Sequence, residues 1–188
     1  MSFWDKYHLY VYVALVALLS WWLQEMYQER QIAKQVAENS PDFFSTGYYK
    51  KEMDLEGLPK SELVADKMQH YKADGSTHLE KPVMTLYNTN AEPWVIQADI
   101  GIMAADGDHL QLNGHTVINR EASENASALK VTTSDLRVTL STNYAETSAW
   151  AELVSPPNQT EGIGMEVTFV SPIHLKFLSK VKGRYELE

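Results

Sequence analysis

The side chains that could do chemistry are six histidines, five of them from residue 70 onward, and three aspartates at matching places in the sequence. Ala65-Asp66, Ala98-Asp99 and Ser134-Asp135 recur 33 and 36 residues apart. Two carboxylates brought together could divide acid and base roles. In a repeat, each carboxylate instead occupies an equivalent place in a different unit, where backbone hydrogen bonding at a turn or bulge is its ordinary work. His70, His78, His109, His115 and His174 lack the close spacing of a metal ligand set, so no metal ligand is assigned. G-x-S-x-G, H-E-x-x-H and Gly-rich phosphate loops are missing, and with zero cysteines disulfides, thiol catalysis and Cys-ligated zinc are excluded. The residues therefore argue against an enzyme, and no catalytic residue or cofactor is assigned.

The elements that carry these residues are of two kinds. An apolar run, Tyr7 to Leu23, has interfacial aromatics at both ends: Tyr7, Tyr10 and Tyr12, then Trp21 and Trp22. Seventeen residues at about 1.5 Å each reach the lower end of a bilayer core, so a retained membrane-spanning helix is expected there. Residues 1–6 form a short tail before it. Residues 24–40 lack Gly and Pro and are expected to continue the helix as a stalk up to Pro41. Basic residues on the two flanks are too balanced to orient the span. Ala14 and Ala17 are its small packing positions, suited to a helix partner.

Residues 41–188 alternate apolar and polar side chains: Leu110, Leu112, Gly114, Thr116, Ile118; Leu136, Val138, Leu140; Ile163, Met165, Val167, Phe169; Ile173, Leu175, Phe177. A period of two predicts half-buried strands, here an all-β meander with turns at Asp74-Gly75, Asp106-Gly107, Asn113-Gly114, Pro156-Pro157 and Ser171-Pro172. The repeated Ala/Ser-Asp units predict stacked or coiled strand groups. The net charge is −9, of which the first forty residues carry three basic and four acidic side chains. An acidic β-domain repels phosphate backbones, so nucleic acid is not an expected partner. A closed barrel or a two-layer jelly roll fits this length, with an interior either packed solid or open as an apolar slot.

The ordered set Leu63-Val64-Ala65-Asp66, Lys81-Pro82-Val83-Met84-Thr85-Leu86-Tyr87, Pro93-Trp94-Val95-Ile96-Gln97-Ala98-Asp99, Leu110-Gln111-Leu112-Asn113-Gly114-His115, Val131-Thr132-Thr133-Ser134-Asp135 and Gly183-Arg184-Tyr185-Glu186-Leu187, behind a short anchor, resembles the LptC family. The resemblance implies a twisted open β-jellyroll of the OstA/LptA type in the periplasm. It implies one N-terminal transmembrane helix in the cell inner membrane, with the N-terminus cytoplasmic. It further implies that lipopolysaccharide is accepted from the ABC transporter of LptF and LptG with the ATPase LptB, then passed to an LptA-like bridge protein. By position it places Tyr48, Leu79 and Tyr185 on the lipid path, and Leu112 and Leu175 join them by sharing the inner face. Gly57 matches a glycine of the family's early turn. Ala14 and Ala17 would meet the transporter. The C-terminal strand, with Val181, Tyr185 and Leu187, would meet the bridge protein, since no following segment covers its edge. The alternative is a membrane-anchored envelope scaffold with a solid β-core.

Overall fold

The computed structural model describes residues 3–38, 40–88, 91–123, 127–170 and 173–186, without the side chains of 3–6, 9, 28–38 and 91. The chain divides into two compact units, 1–40 and 41–188. The first is a single helix, α1 (Phe3–Glu38), unbroken for 36 residues. Its apolar side chains are exposed all round, Tyr10, Val11, Leu15, Val16, Leu19 and Trp22 among them, and Trp21 donates its indole N–H to Glu25 at 2.9 Å. Among the described residues, no helix is long and apolar enough to cross a membrane. The side chain of Leu9, inside the 7–23 run, lies outside that description.

The second unit is one ten-stranded antiparallel sheet: β1 (Phe43–Met53), β2 (Pro59–His70), β3 (Thr77–Glu80), β4 (Val83–Asn88), β5 (Ala91–Met103), β6 (His109–Arg120), β7 (Leu129–Thr139), β8 (Tyr144–Ser155), β9 (Asn158–Thr168) and β10 (His174–Arg184). The order follows the sequence, except that β3 and β4 both lie between β2 and β5, one strand interrupted at Lys81-Pro82. Edge strands β1 and β10 pair only with β2 and β9 among the described residues. Aspartates make several of the turns. Asp54 Oδ1 accepts from the N–H of Glu56 and Leu58, with Gly57 between them at φ +79°. Asp74 Oδ1 accepts from Ser76 N–H at 2.9 Å, and Asp106 Oδ1 from Asp108 N–H at 2.8 Å.

A seam of β-bulges crosses the sheet at the repeated aspartates. Register shifts fall between Ala98 and Ile100, Leu112 and His115, Thr132 and Arg137, Thr147 and Trp150, and Ser179 and Lys182. Along it the backbone takes positive φ at Lys81, Gly114, Asp135, Gly164 and Lys180. The inward set changes parity there: Leu63 and Ala65 give way to Met68, Ile96 and Ala98 to Gly101 and Met103, Val131 and Thr133 to Leu136 and Val138. Bulges bend strands and turn corners, which lets each long strand contribute to both sides of a folded-over sheet. Two expectations are corrected by this. Asn113-Gly114 is a bulge within β6, not a turn, and Ile163 is 37% exposed because the parity breaks at Gly164, two residues short of buried Met165. The Ser171-Pro172 turn lies outside the described residues.

Candidate functional site

The sheet folds around an apolar interior. One row of cross-strand neighbours, Leu63, Met84, Ile96, Ile118, Val131 and Leu153, runs through β2, β4, β5, β6, β7 and β8. Trp94, with no exposed surface, meets Phe169 edge-on at 5.3 Å between ring centroids. Three buried threonines cross this interior at the seam, where bulging frees backbone groups. Thr133 donates its hydroxyl to Trp150 C=O at 2.9 Å and Thr147 to Ser134 C=O at 2.8 Å, while Thr116, fully buried, reaches Gly114 C=O at 3.4 Å. On the outer face the aspartates complete the bulges. Asp99 Oδ2 accepts from His115 N–H at 2.7 Å, and Asp135 Oδ1 from Gly114 N–H at 3.4 Å. Asp66 pairs with Lys81 at 3.3 Å. Among the described residues no cluster of His, Asp and Glu could hold a metal ion.

The residues expected on a lipid path separate into three groups. Leu79 and Leu112 are each 1% exposed and lie deep in the packed interior. Tyr48, on β1, and Leu175, on β10, are half-buried and pack against the core from the two edge strands, beside Ile173 and Phe177. Leu129 and Leu153 form a similar half-buried rim elsewhere. Tyr185 lies just beyond β10 and is exposed; its hydroxyl meets that of Thr160 at 3.0 Å and its ring covers Gly183. Leu175 pairs with Val167, whereas the Gly183 beside Tyr185 pairs with Thr160, so the two lie at opposite ends of β10, on either side of the bulge at Lys180. Val181 is exposed, as are Ala14 and Ala17 on α1; Leu187 lies outside the described residues. Sequence reasoning missed Arg120, the half-buried last residue of β6; its place two positions beyond Ile118 on the inward set was the available signal.

Polar groups fasten the outer face. Glu62 accepts from the hydroxyls of Tyr49 at 2.6 Å and Tyr87 at 2.7 Å, with Lys51 at 3.1 Å, so β1, β2 and β4 share one carboxylate. Those hydroxyls and the ammonium hold the Glu62 carboxyl down at about 2, and the same contact raises both tyrosines. Asp106 is likewise held at about 2 by the N–H of Asp108 and by His109, whose imidazole it raises in turn. An open cavity of about 530 Å³ lies beside Ile102, Gln111, Arg137, Tyr144 and Glu146, and another of about 400 Å³ beside Asp66, Lys81 and Asp99. Neither is lined by Leu79 or Leu112. The arrangement suits apolar binding at the rim of the interior.

Comparison with curated proteins finds no match. Among solved structures, the fold is similar to the crystal structure of LptH, the LptA homologous periplasmic component of the conserved lipopolysaccharide transport device from Pseudomonas aeruginosa. The TM-score is 0.53 at 8% identity, covering 68% of this chain and 95% of that one, a likeness of fold. The LptC family, described as lipopolysaccharide-assembly, LptC-related, matches residues 9–186, and the chain therefore belongs to that family.

Proposed function

We propose that this chain is a lipopolysaccharide-export component. It accepts lipopolysaccharide from the inner-membrane ABC transporter of LptF, LptG and LptB, and passes it along its β-jellyroll to an LptA-like bridge protein. Family membership and the LptA-like fold support a periplasmic component of lipopolysaccharide transport. The observation that carries the conduit reading is the edge of the interior. The sheet ends on two strands without outer partners among the described residues, and half-buried apolar side chains pack on the core from both, Tyr48 from β1 and Leu175 and Phe177 from β10, with Ile173 just before it. Acyl chains gain about 0.8 kcal/mol for each methylene removed from water, and an unpaired edge accepts a strand of a neighbouring sheet.

In this reading residues 7–23 anchor the chain in the cell inner membrane, with a cytoplasmic N-terminus and the β-unit in the periplasm. The apolar side chains exposed all round α1 support it, since a helix hydrophobic on every side suits a lipid environment. The chain binds and passes lipid without a catalytic step or a cofactor. The second reading, an anchored scaffold, is favoured by one observation, the close packing of Leu79 and Leu112.

The test is capture in a lipopolysaccharide-producing envelope with a photoreactive residue at position 48, 175 or 111. Positions 48 and 175 should crosslink to lipopolysaccharide, while 111, paired with Ile102 and Arg137 in the center of the sheet beside the outer cavity, should not. A folded protein that captures lipid from none of the three positions removes the conduit and leaves the scaffold.

A further inference from the structure

Arg120 closes β6 on the inward row, hydrogen-bonded in register with Trp94 on one side and Leu129 on the other. Two residues earlier on the same row, Ile118 is buried at 1%. An arginine at the end of an apolar row is costly unless something compensates it. Its guanidinium stacks over the Trp94 ring, 5.1 Å from the centroid, and donates from Nη2 to Ser127 C=O at 3.1 Å. Among the described residues it makes no ion pair, and the nearby carboxylates Glu92 and Glu121 are exposed. The other half-buried cations of the β-unit, Lys50 and Lys67, are paired with Glu52 and Glu80. Two donors in this stack are buried and without acceptors among the described residues, Arg120 Nε and the indole N–H of Trp94, itself wholly buried. Such groups call for an oxygen.

A planar guanidinium with a free edge matches the paired oxygens of a phosphate. The half-buried Leu129 and Leu153 stand at the same end of the interior. From these juxtapositions we infer that Arg120 and Trp94 form a seat for a lipid-borne phosphate, at the end of the interior where Leu129 and Leu153 stand half-buried. The inference rests on the conduit reading and adds to it a determinant of headgroup chemistry. The ligand class is an acylated saccharide carrying phosphate.

The test uses the full chain in nonionic detergent and three probes: an acylated diglucosamine carrying phosphates, the same lipid with its phosphates removed, and inorganic phosphate. The readouts are the dissociation constant and the Trp94 indole N–H resonance, assigned with Trp94→Phe. The phosphorylated lipid should bind about tenfold more tightly than the stripped one, the scale of a charge-assisted pair, and should move the Trp94 resonance. Arg120→Met should abolish the preference while leaving affinity for the stripped lipid unchanged, and Arg120→Lys, which keeps charge without the planar fork, should retain part of it. Equal affinity of the wild type for both lipids overturns the inference even if the conduit stands, as does loss of both affinities together in Arg120→Met. Inorganic phosphate that moves the resonance while lipid phosphates confer no preference assigns the seat to the free anion and overturns it as well. Failure of both lipids to bind the folded chain defeats the conduit reading and this one with it.

Discussion

Leu79 and Leu175 were both expected to face one lipid path, and the structure gives opposite consequences for placing a carboxylate at each. Leu79 is 1% exposed, paired with Met68 on β2 and Gly101 on β5. Leu79→Asp forfeits about 2–3 kcal/mol of side-chain burial and strands a charge whose desolvation costs several kcal/mol more. Against a total stability of about 5–15 kcal/mol, that loss unfolds most or all of the β-unit. Leu175 is half-buried on the edge strand, so Leu175→Asp forfeits about 1 kcal/mol of burial and its carboxylate can turn to water. The expected results are a collapsed thermal melt for Leu79→Asp, followed by far-ultraviolet circular dichroism, and a melt lowered by about 2–4 °C for Leu175→Asp. In lipopolysaccharide capture Leu175→Asp should lose most of its signal while remaining folded. A Leu79→Asp protein with a wild-type melt, together with efficient lipid crosslinking from position 79, would refute this reasoning, because it requires an interior open at its centre.

Gly114 takes φ +80°, and a Cβ there would stand 2.5 Å from Asp99 Oδ2; Gly114→Ala should cost about 2–4 kcal/mol from backbone strain and the displaced carboxylate, and in an Asp99→Ala background the cost in a urea titration should fall toward the strain alone. Glu62 is depressed to about 2 in the fold, so its contribution is complete above the usual glutamate range and is lost as pH falls toward about 2; Glu62→Gln should flatten the acid limb of the stability curve over that window. His109 is raised by Asp106, so its contribution is present below the ordinary histidine value and is lost as pH rises through the raised one; His109→Gln should remove that loss from melts taken from below the ordinary histidine value upward. Deleting Lys182 to Glu188 removes the β10 segment paired with Gln159, Thr160 and Glu161 and should abolish binding to an LptA-like partner in pull-down while leaving association with the transporter intact.

The all-β character and many of the turns could be read from alternation and from Asp-Gly pairs, because strand period and turn chemistry are local properties. The repeated aspartates were legible as bulge or turn residues for the same reason: Asp99 caps His115, and Asp135 reaches Gly114. What alternation could not supply was the parity change at each bulge. Counting by twos carries Ile163 inward with Met165, yet one left-handed glycine between them sends Ile163 to the outside. Counting from Leu175 to Tyr185 likewise assigns both to one interior, although the bulge at Lys180 intervenes and the two residues lie at opposite ends of the strand.

The bulges also bear on how such a fold could admit lipid. Each interrupts the ladder at one level of the sheet, and there Thr133 and Thr147 hold the freed carbonyls of neighbouring strands by single hydroxyl bonds. A row of single side-chain bonds is weaker than the regular ladder on either side, since each contributes only about 1 kcal/mol net. Bending at that level changes the separation of the two sides while leaving the pairing within each intact. In the proposed conduit the half-buried rim at Tyr48, Leu175 and Phe177 is the part expected to widen first, and Leu79 and Leu112, each 1% exposed, the last to open. A conduit entered at its edges therefore needs no permanent channel through the centre, and a packed core is compatible with lipid passage along its border.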